Sequence, residues 1–245
     1  MIGSVSTIVR RELLSLFVSP IAYIVLFCFM LVNGATFRFY VGLYGGEMEP
    51  VLVSTFGGPA FWFLWLLIPP LITMRTFSEE RRSGTFELLV TSGVSDAALV
   101  AGKFLAAWVF LGLLWAGVLP LLLLAEAYGK LDWGVVASTY CGLALSSALL
   151  AAIGVLASSL TQNQLIAAVL ATVVNLGIVL SNQLRALFPP SAIELRFFEY
   201  VSPPYHFARD FSQGIVDLST IVLYASVTVL ALFATVKVLE RRRWA

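Results

Sequence analysis

Between positions 133 and 184 the chain runs for 52 residues without a single Asp, Glu, Lys or Arg. Four further stretches lack those residues, at 13–37, 50–74, 104–125 and 218–236. A helix that crosses a bilayer needs about 20 mainly apolar residues, and each of these runs is close to that length or longer. The longest is sufficient for two crossings, and the polar residues from Ser158 to Gln164 near its middle supply a turn. Soluble domains carry about 25% charged residues, whereas here 12% are charged and 60% apolar. Hydrocarbon offers the backbone no hydrogen-bond partners, so the spans must be helices or the strands of a closed barrel. Barrel strands alternate in hydropathy over about ten residues, and these runs are continuously apolar. The expected fold is all-α and polytopic, with six transmembrane helices in a single domain over 1–245.

The distribution of charge gives the expected orientation. Arg10, Arg11, Arg75, Arg81, Arg82, Lys103, Lys237, Arg241, Arg242 and Arg243 fall on one side of the spans. Arg38, Lys130, Arg185, Arg196 and Arg209 fall on the other. Basic residues accumulate in cytoplasmic loops, so both termini are expected in the cytoplasm of a cell with this protein in its inner membrane. A net charge of +1 gives no field for gripping nucleic acid. Cys28 and Cys141 fall within the first and fourth spans and read as small core residues, not as a disulfide framework.

Around the spans lie several amphipathic or punctuated segments. Val5, Ile8, Val9, Leu13, Leu16 and Phe17 recur at helical spacing, which predicts an interfacial helix over 4–18 that ends near Ser19-Pro20. Gly57-Gly58-Pro59 and Pro69-Pro70 are expected to kink or break the second span. Gly142, Ser146, Gly154 and Ser158 put small residues on one face of the fourth, where they allow close helix approach. Asn33, Ala171 and Asn175 are candidates for a pathway or dimer interface, since an amide inside an apolar run needs a partner. An outer segment, 185–217, contains Pro189-Pro190 and Pro203-Pro204 and is expected to form a short helical pair. Gly214 can end its second helix, and His206 and Asp210, four apart, are expected to form a surface ion pair.

The most informative segment is the predicted cytoplasmic loop 75–98. A mixed charge cluster, Glu79-Glu80-Arg81-Arg82, leads through Gly84 to Thr85, which can cap a short helix carrying Phe86, Glu87, Leu88 and Leu89. Ser95-Asp96 then starts the next helix. A helix of about two turns is not stable alone in water, so its apolar face requires lipid or a protein groove.

At Glu80-Arg81-Arg82-Ser83-Gly84-Thr85-Phe86-Glu87-Leu88-Leu89, Ser95 and Gly102-Lys103 the chain resembles the permease subunits of ABC exporters of the type-2 permease family. These permeases commonly have Pro where Gly93 stands here, and either residue breaks the helix. The short length and the stretch from Tyr200 to Asp217 look most like the gliding-motility-type relatives. The resemblance implies that Thr85 to Val90 is the coupling helix seated in a cleft of a separate ABC ATPase subunit, with the interfacial helix 4–18 beside it; Glu79, Glu80, Arg81 and Arg82 offer both signs of charge at a polar rim, and with Gly84, Thr85, Phe86, Glu87, Leu88 and Leu89 they are the candidate partner-binding residues. It also implies a second permease copy, or a similar permease, with the fifth span near the two-fold axis. ATP and Mg would be bound by the ATPase partner. The chain itself lacks the G-x-x-x-x-G-K-[ST] phosphate loop, and no cofactor or metal is expected on it. The competing readings are a secondary transporter, which would place ionisable residues at mid-membrane, and a membrane assembly factor that transports nothing.

Overall fold

In the computed structural model, described over residues 2–45, 47–84, 94–126, 131–184 and 198–243, every regular element is helical. The elements are α1 (Ile2–Val18), α2 (Pro20–Leu43), α3 (Met48–Gly57), α4 (Pro59–Thr73), α5 (Arg75–Arg82), α6 (Asp96–Ala116), α7 (Leu119–Glu126), α8 (Trp133–Leu160), α9 (Gln164–Val179) and α10 (Ser181–Leu184). They are followed by α11 (Pro203–Arg209), a 3-10 turn (Phe211–Gln213) and α12 (Leu218–Arg243). Among the described residues, five helical stretches are long and apolar enough to cross a membrane: Pro20–Leu43, Pro59–Arg82, Asp96–Leu124, Trp133–Leu160 and Leu218–Arg241. The chain is an all-α polytopic membrane protein.

The sixth apolar segment, α9, is shorter. Its 16 residues reach about 24 Å, less than the roughly 30 Å of a hydrocarbon core. Leu180 leaves helical geometry, and the Ser181 hydroxyl donates to the carbonyls of Ile178 (2.8 Å) and Phe198 (3.1 Å), which fixes the turn there.

The second charge-free run divides at Gly58, whose extended backbone (φ −71°, ψ 156°) separates α3 from α4. A Cβ at Gly58 would lie 2.3 Å from the Ser54 carbonyl oxygen, so only glycine permits this approach. Pro69 and Pro70 do not end the helix at their own positions: both lie inside α4, and the helical pattern lapses only at Met74, after which α5 carries the apolar segment on to Arg82. Thr73 donates its hydroxyl back to the Pro69 carbonyl at 2.7 Å, which holds this buried hydroxyl inside the helix.

The central mast is α8, packed by α4, α5, α6, α9 and α12. Its small residues meet bulky or polar neighbours at close range. A Cβ at Gly142 would lie 2.7 Å from the Phe211 ring, and one at Gly154 would lie 2.0 Å from Thr73 Oγ1. Ser138 donates to the Phe211 carbonyl near one end of α8, and Ser158 contacts α5 near the other. Twenty residues of helix separate these serines, about 30 Å, so α11 with the 3-10 turn and α5 lie at opposite ends of the bundle. Cys28 is exposed on α2 and Cys141 half-buried on α8, outside the packed core where sequence reading put them.

Candidate functional site

Charge concentrates at the α5 end. The sequence of α5, Arg-Thr-Phe-Ser-Glu-Glu-Arg-Arg, is amphipathic by helical spacing. Thr76, Phe77 and Ser78 are buried, whereas Glu79 and Arg82 are exposed. Ser158 of α8 holds the start of this helix. Its hydroxyl oxygen accepts from the backbone N–H of Phe77 (3.0 Å) and Ser78 (3.2 Å) and donates to the Met74 carbonyl (3.0 Å). Orphan donors of a first helical turn are thereby satisfied inside the protein. Arg81 reaches the Ser159 carbonyl at 2.5 Å, a second tie to the same end of α8.

Lys103 of α6 is the centre of the cluster. Its side chain is 1% exposed, and its ammonium contacts Glu80 Oε1 (2.8 Å), Glu12 Oε1 (3.0 Å) and the Thr76 carbonyl (2.7 Å). It also lies over the Phe77 ring, 5.3 Å from the centroid. Arg11 bridges the same two carboxylates, at 3.0 Å to Glu12 and 3.2 Å to Glu80. A buried ammonium is tolerated only when paired and fully hydrogen-bonded, and here three donors meet three acceptors. Helices α1, α5 and α6 are thus joined through one ammonium. The apolar stripe of α1 completes the joint. Ile8 sits where a Cβ on Gly102 would come within 2.7 Å, and Phe17 meets Phe110 edge to face at 5.7 Å.

Sequence reading missed this cluster, although Lys103 and Glu80 both fall in segments that it singled out. A lone lysine entering an apolar run was the available signal, because such a charge needs a carboxylate from elsewhere. Helical periodicity carries no information about a partner 91 residues away.

Of the candidate partner-binding residues, Glu79, Glu80, Arg81, Arg82 and Gly84 are described. Glu80 and Arg81 turn inward as above, and Glu79 lines a cavity between α1, α2, α4, α5 and α6. Arg82 and Gly84 are exposed at the end of the helix, where Gly84 takes a left-handed conformation (φ +72°). Thr85, Phe86, Glu87, Leu88 and Leu89 lie outside the described residues. The chain re-enters α6 with the expected cap, in which Ser95 Oγ accepts from the Ala98 N–H at 3.3 Å.

The intramembrane candidates are all buried within the chain. Asn33 donates to the Phe29 carbonyl (2.8 Å) while its Oδ1 has no partner. Asn175 is fully enclosed with neither amide atom hydrogen-bonded, and Ala171 lies one turn before it on the same buried face of α9. At the opposite end, His206 corrects the expectation of a surface ion pair. It is buried, with Nε2 2.9 Å from the Tyr200 carbonyl, Nδ1 3.2 Å from Thr220 Oγ1, and Asp210 Oδ2 at 3.6 Å. Folding of α11 onto the start of α12 encloses the ring.

A family model described as ABC-2 family transporter protein matches residues 35–236, most of the chain. The chain belongs to the ABC-2 transporter family. No curated protein matches it. The match extends from α2 through most of α12 and includes α5 and Lys103. This ABC-2 protein is therefore the transmembrane, non-catalytic subunit of an ABC transporter, and membership implies ABC ATPase partners.

Proposed function

We propose that this ABC-2 protein forms the substrate pathway of an ATP-driven exporter, works as a dimer, and is driven by separate ATPase subunits docked at the α5 end. The observation that supports the reading is that α5 follows α4 with only Met74 between them, so that the two run as one apolar segment from Pro59 to Arg82, combined with the ties from α5 to α1, α6 and α8. A short loop helix would yield locally when pushed. Here a displacement at 84–89 is delivered to a helix that is hydrogen-bonded to Ser158 and Ser159 and ion-paired through Lys103. Closure of two ATPase subunits on ATP would then shift several spans together, the differential contact that a two-state transporter requires.

In this reading Phe86 and Leu89 form the apolar anchor, and Arg82 and Glu87 form its polar rim. Both termini face the ATPase side, which is the cytoplasm, in agreement with the excess of Lys and Arg there. A second copy packs along α9, whose outward face carries Leu165, Val169 and Val173.

The test is purification of the tagged protein from its native membrane under conditions that keep other complexes intact. An ABC ATPase should co-purify; if none does, the proposal fails. Phe86→Asp and Glu87→Ala should each weaken that association while leaving membrane insertion intact. For orientation, a cysteine replacing Arg209 in a background free of Cys28 and Cys141 should react with an impermeant reagent applied outside intact cells. Labelling only after lysis would reverse the topology.

A further inference from the structure

We propose that the cavity beside the Lys103 cluster is a headgroup site for a zwitterionic phospholipid, with the phosphate on Arg75 and the ammonium on Glu79. The cavity has a volume of about 570 Å³, within the range of about 300–1,000 Å³ usual for ligand pockets. It is bounded by α1, α2, the end of α4, α5 and α6, and six of its lining residues are charged. Four of those six neutralise one another: Lys103 and Arg11 are ion-paired with Glu12 and Glu80.

The remaining two are Arg75 and Glu79. Neither takes part in any ion pair among the described residues. Arg75 reaches Ser19 Oγ only at 3.4 Å, and its Nε is buried with no hydrogen-bond partner. A half-buried guanidinium with Nε enclosed and unpartnered is stabilised by an oxyanion, and the planar fork suits phosphate in particular. Glu79 stands four residues on, so the two side chains leave the same face of α5 about 5–6 Å apart. A phosphate and an ammonium two carbons apart can bridge such a spacing. One unspent cation and one unspent carboxylate together match a neutral zwitterion. An anionic headgroup would leave Glu79 facing a negative charge.

The remaining walls identify the occupant as an amphiphile. Leu16, Ile21, Leu71 and Ile72 supply an apolar side, and Leu71 is 39% exposed on the outer surface of the bundle. Acyl chains can leave the cavity along that side while the headgroup stays between the helices. Pockets with a basic side chain between transmembrane helices are a general means of holding lipid headgroups. Because the site is walled by α1, α5 and α6 together, its occupant contacts each helix joined by Lys103.

The test is native mass spectrometry of the purified full-length protein after incubation with an equimolar mixture of phosphatidylethanolamine, phosphatidylglycerol and phosphatidylcholine. Phosphatidylethanolamine should be retained preferentially, because its primary ammonium can donate to Glu79 and a quaternary one cannot. Arg75→Gln should lower retention of phosphatidylethanolamine about tenfold, the value of one charge-assisted hydrogen bond, and Arg75→Lys should keep most of it. Glu79→Gln should abolish the preference over phosphatidylglycerol while retaining phosphate binding. Equal retention of the three lipids by the wild-type protein, or an unchanged lipid profile in both Arg75→Gln and Glu79→Gln, overturns the proposal. Displacement of the lipid by millimolar free phosphoethanolamine would assign the site to a soluble phosphate ester and overturn the lipid assignment. No ATPase enters the measurement, so its result is independent of the coupling reading.

Discussion

Lys103 Nζ lies 2.8 Å from Glu80 Oε1, and through this contact the base of α6 is fastened to a charged helix that continues the second crossing. Both groups lie well inside the bundle, with side-chain exposures of 1% and 15%. Removing one partner of a buried pair leaves the other desolvated and uncompensated, at a cost of about 3–5 kcal/mol. Lys103→Met should therefore lower the stability of the detergent-solubilised protein by an amount of that order, read from its denaturation midpoint. The double variant Lys103→Met/Glu80→Gln should lose less than the single one, because the stranded carboxylate is gone. A double variant that loses the sum of both single effects would remove the pairing from the account.

Gly154 faces Thr73 where α8 crosses α4, and a Cβ there would lie 2.0 Å from Thr73 Oγ1 and 2.9 Å from Thr73 Cβ. The second distance involves an atom close to the backbone, so a side-chain rotation cannot relieve it. Gly154→Ala should destabilise by about 1–3 kcal/mol, the usual cost of overpacking. Thr73→Ala in the same chain should restore part of the loss by removing the hydroxyl. A thermal midpoint unchanged by Gly154→Ala would show that α8 and α4 are not in this contact.

The helices were legible because charge is excluded from them, and the Ser95 cap and the Gly214 stop were legible because they act within a few residues. The small residues on α8 were legible as packing positions, although Phe211 and Thr73 as their partners were not. What periodicity could not supply was long-range pairing. Lys103 finds Glu12 and Glu80 only after α1, α5 and α6 assemble, and His206 is buried only because Thr220 and Tyr200 close around it. Pro69 and Pro70 stay within α4, and the helical pattern lapses only at Met74, whose carbonyl accepts from the Ser158 hydroxyl of α8, a partner that no local rule names.

Gly214 ends the 3-10 turn with φ +81°, in the left-handed region, before the chain enters α12. A Cβ there would make only ordinary contact, 3.5 Å from Val135 Cγ2, so the cost of a substitution is conformational and not steric. Gly214→Ala should lose about 1–2 kcal/mol. Gly214→Asn should lose less, because asparagine tolerates this region better. Equal losses for the two variants, measured by thermal unfolding, would point to packing against Val135 instead.

Arg81 separates docking from transmission. Its guanidinium reaches the Ser159 carbonyl at the end of α8, on the stem and not on the 84–89 segment that the proposal places in the ATPase. Arg81→Ala should therefore leave the amount of co-purified ATPase within about twofold of wild type, because a change of that size is only a few tenths of a kcal/mol. Coupling should suffer instead. With one tie to α8 lost, motion of the docked segment is absorbed at α5, and the ATP-dependent change in α8 should shrink. That change can be followed by a spin or fluorescence label at Leu160, an exposed residue at the adjoining end of α8. Loss of the ATPase from the purified Arg81→Ala complex would place Arg81 in the docking surface and overturn the division. A label response equal to wild type would show that Ser158 and Lys103 alone transmit the motion.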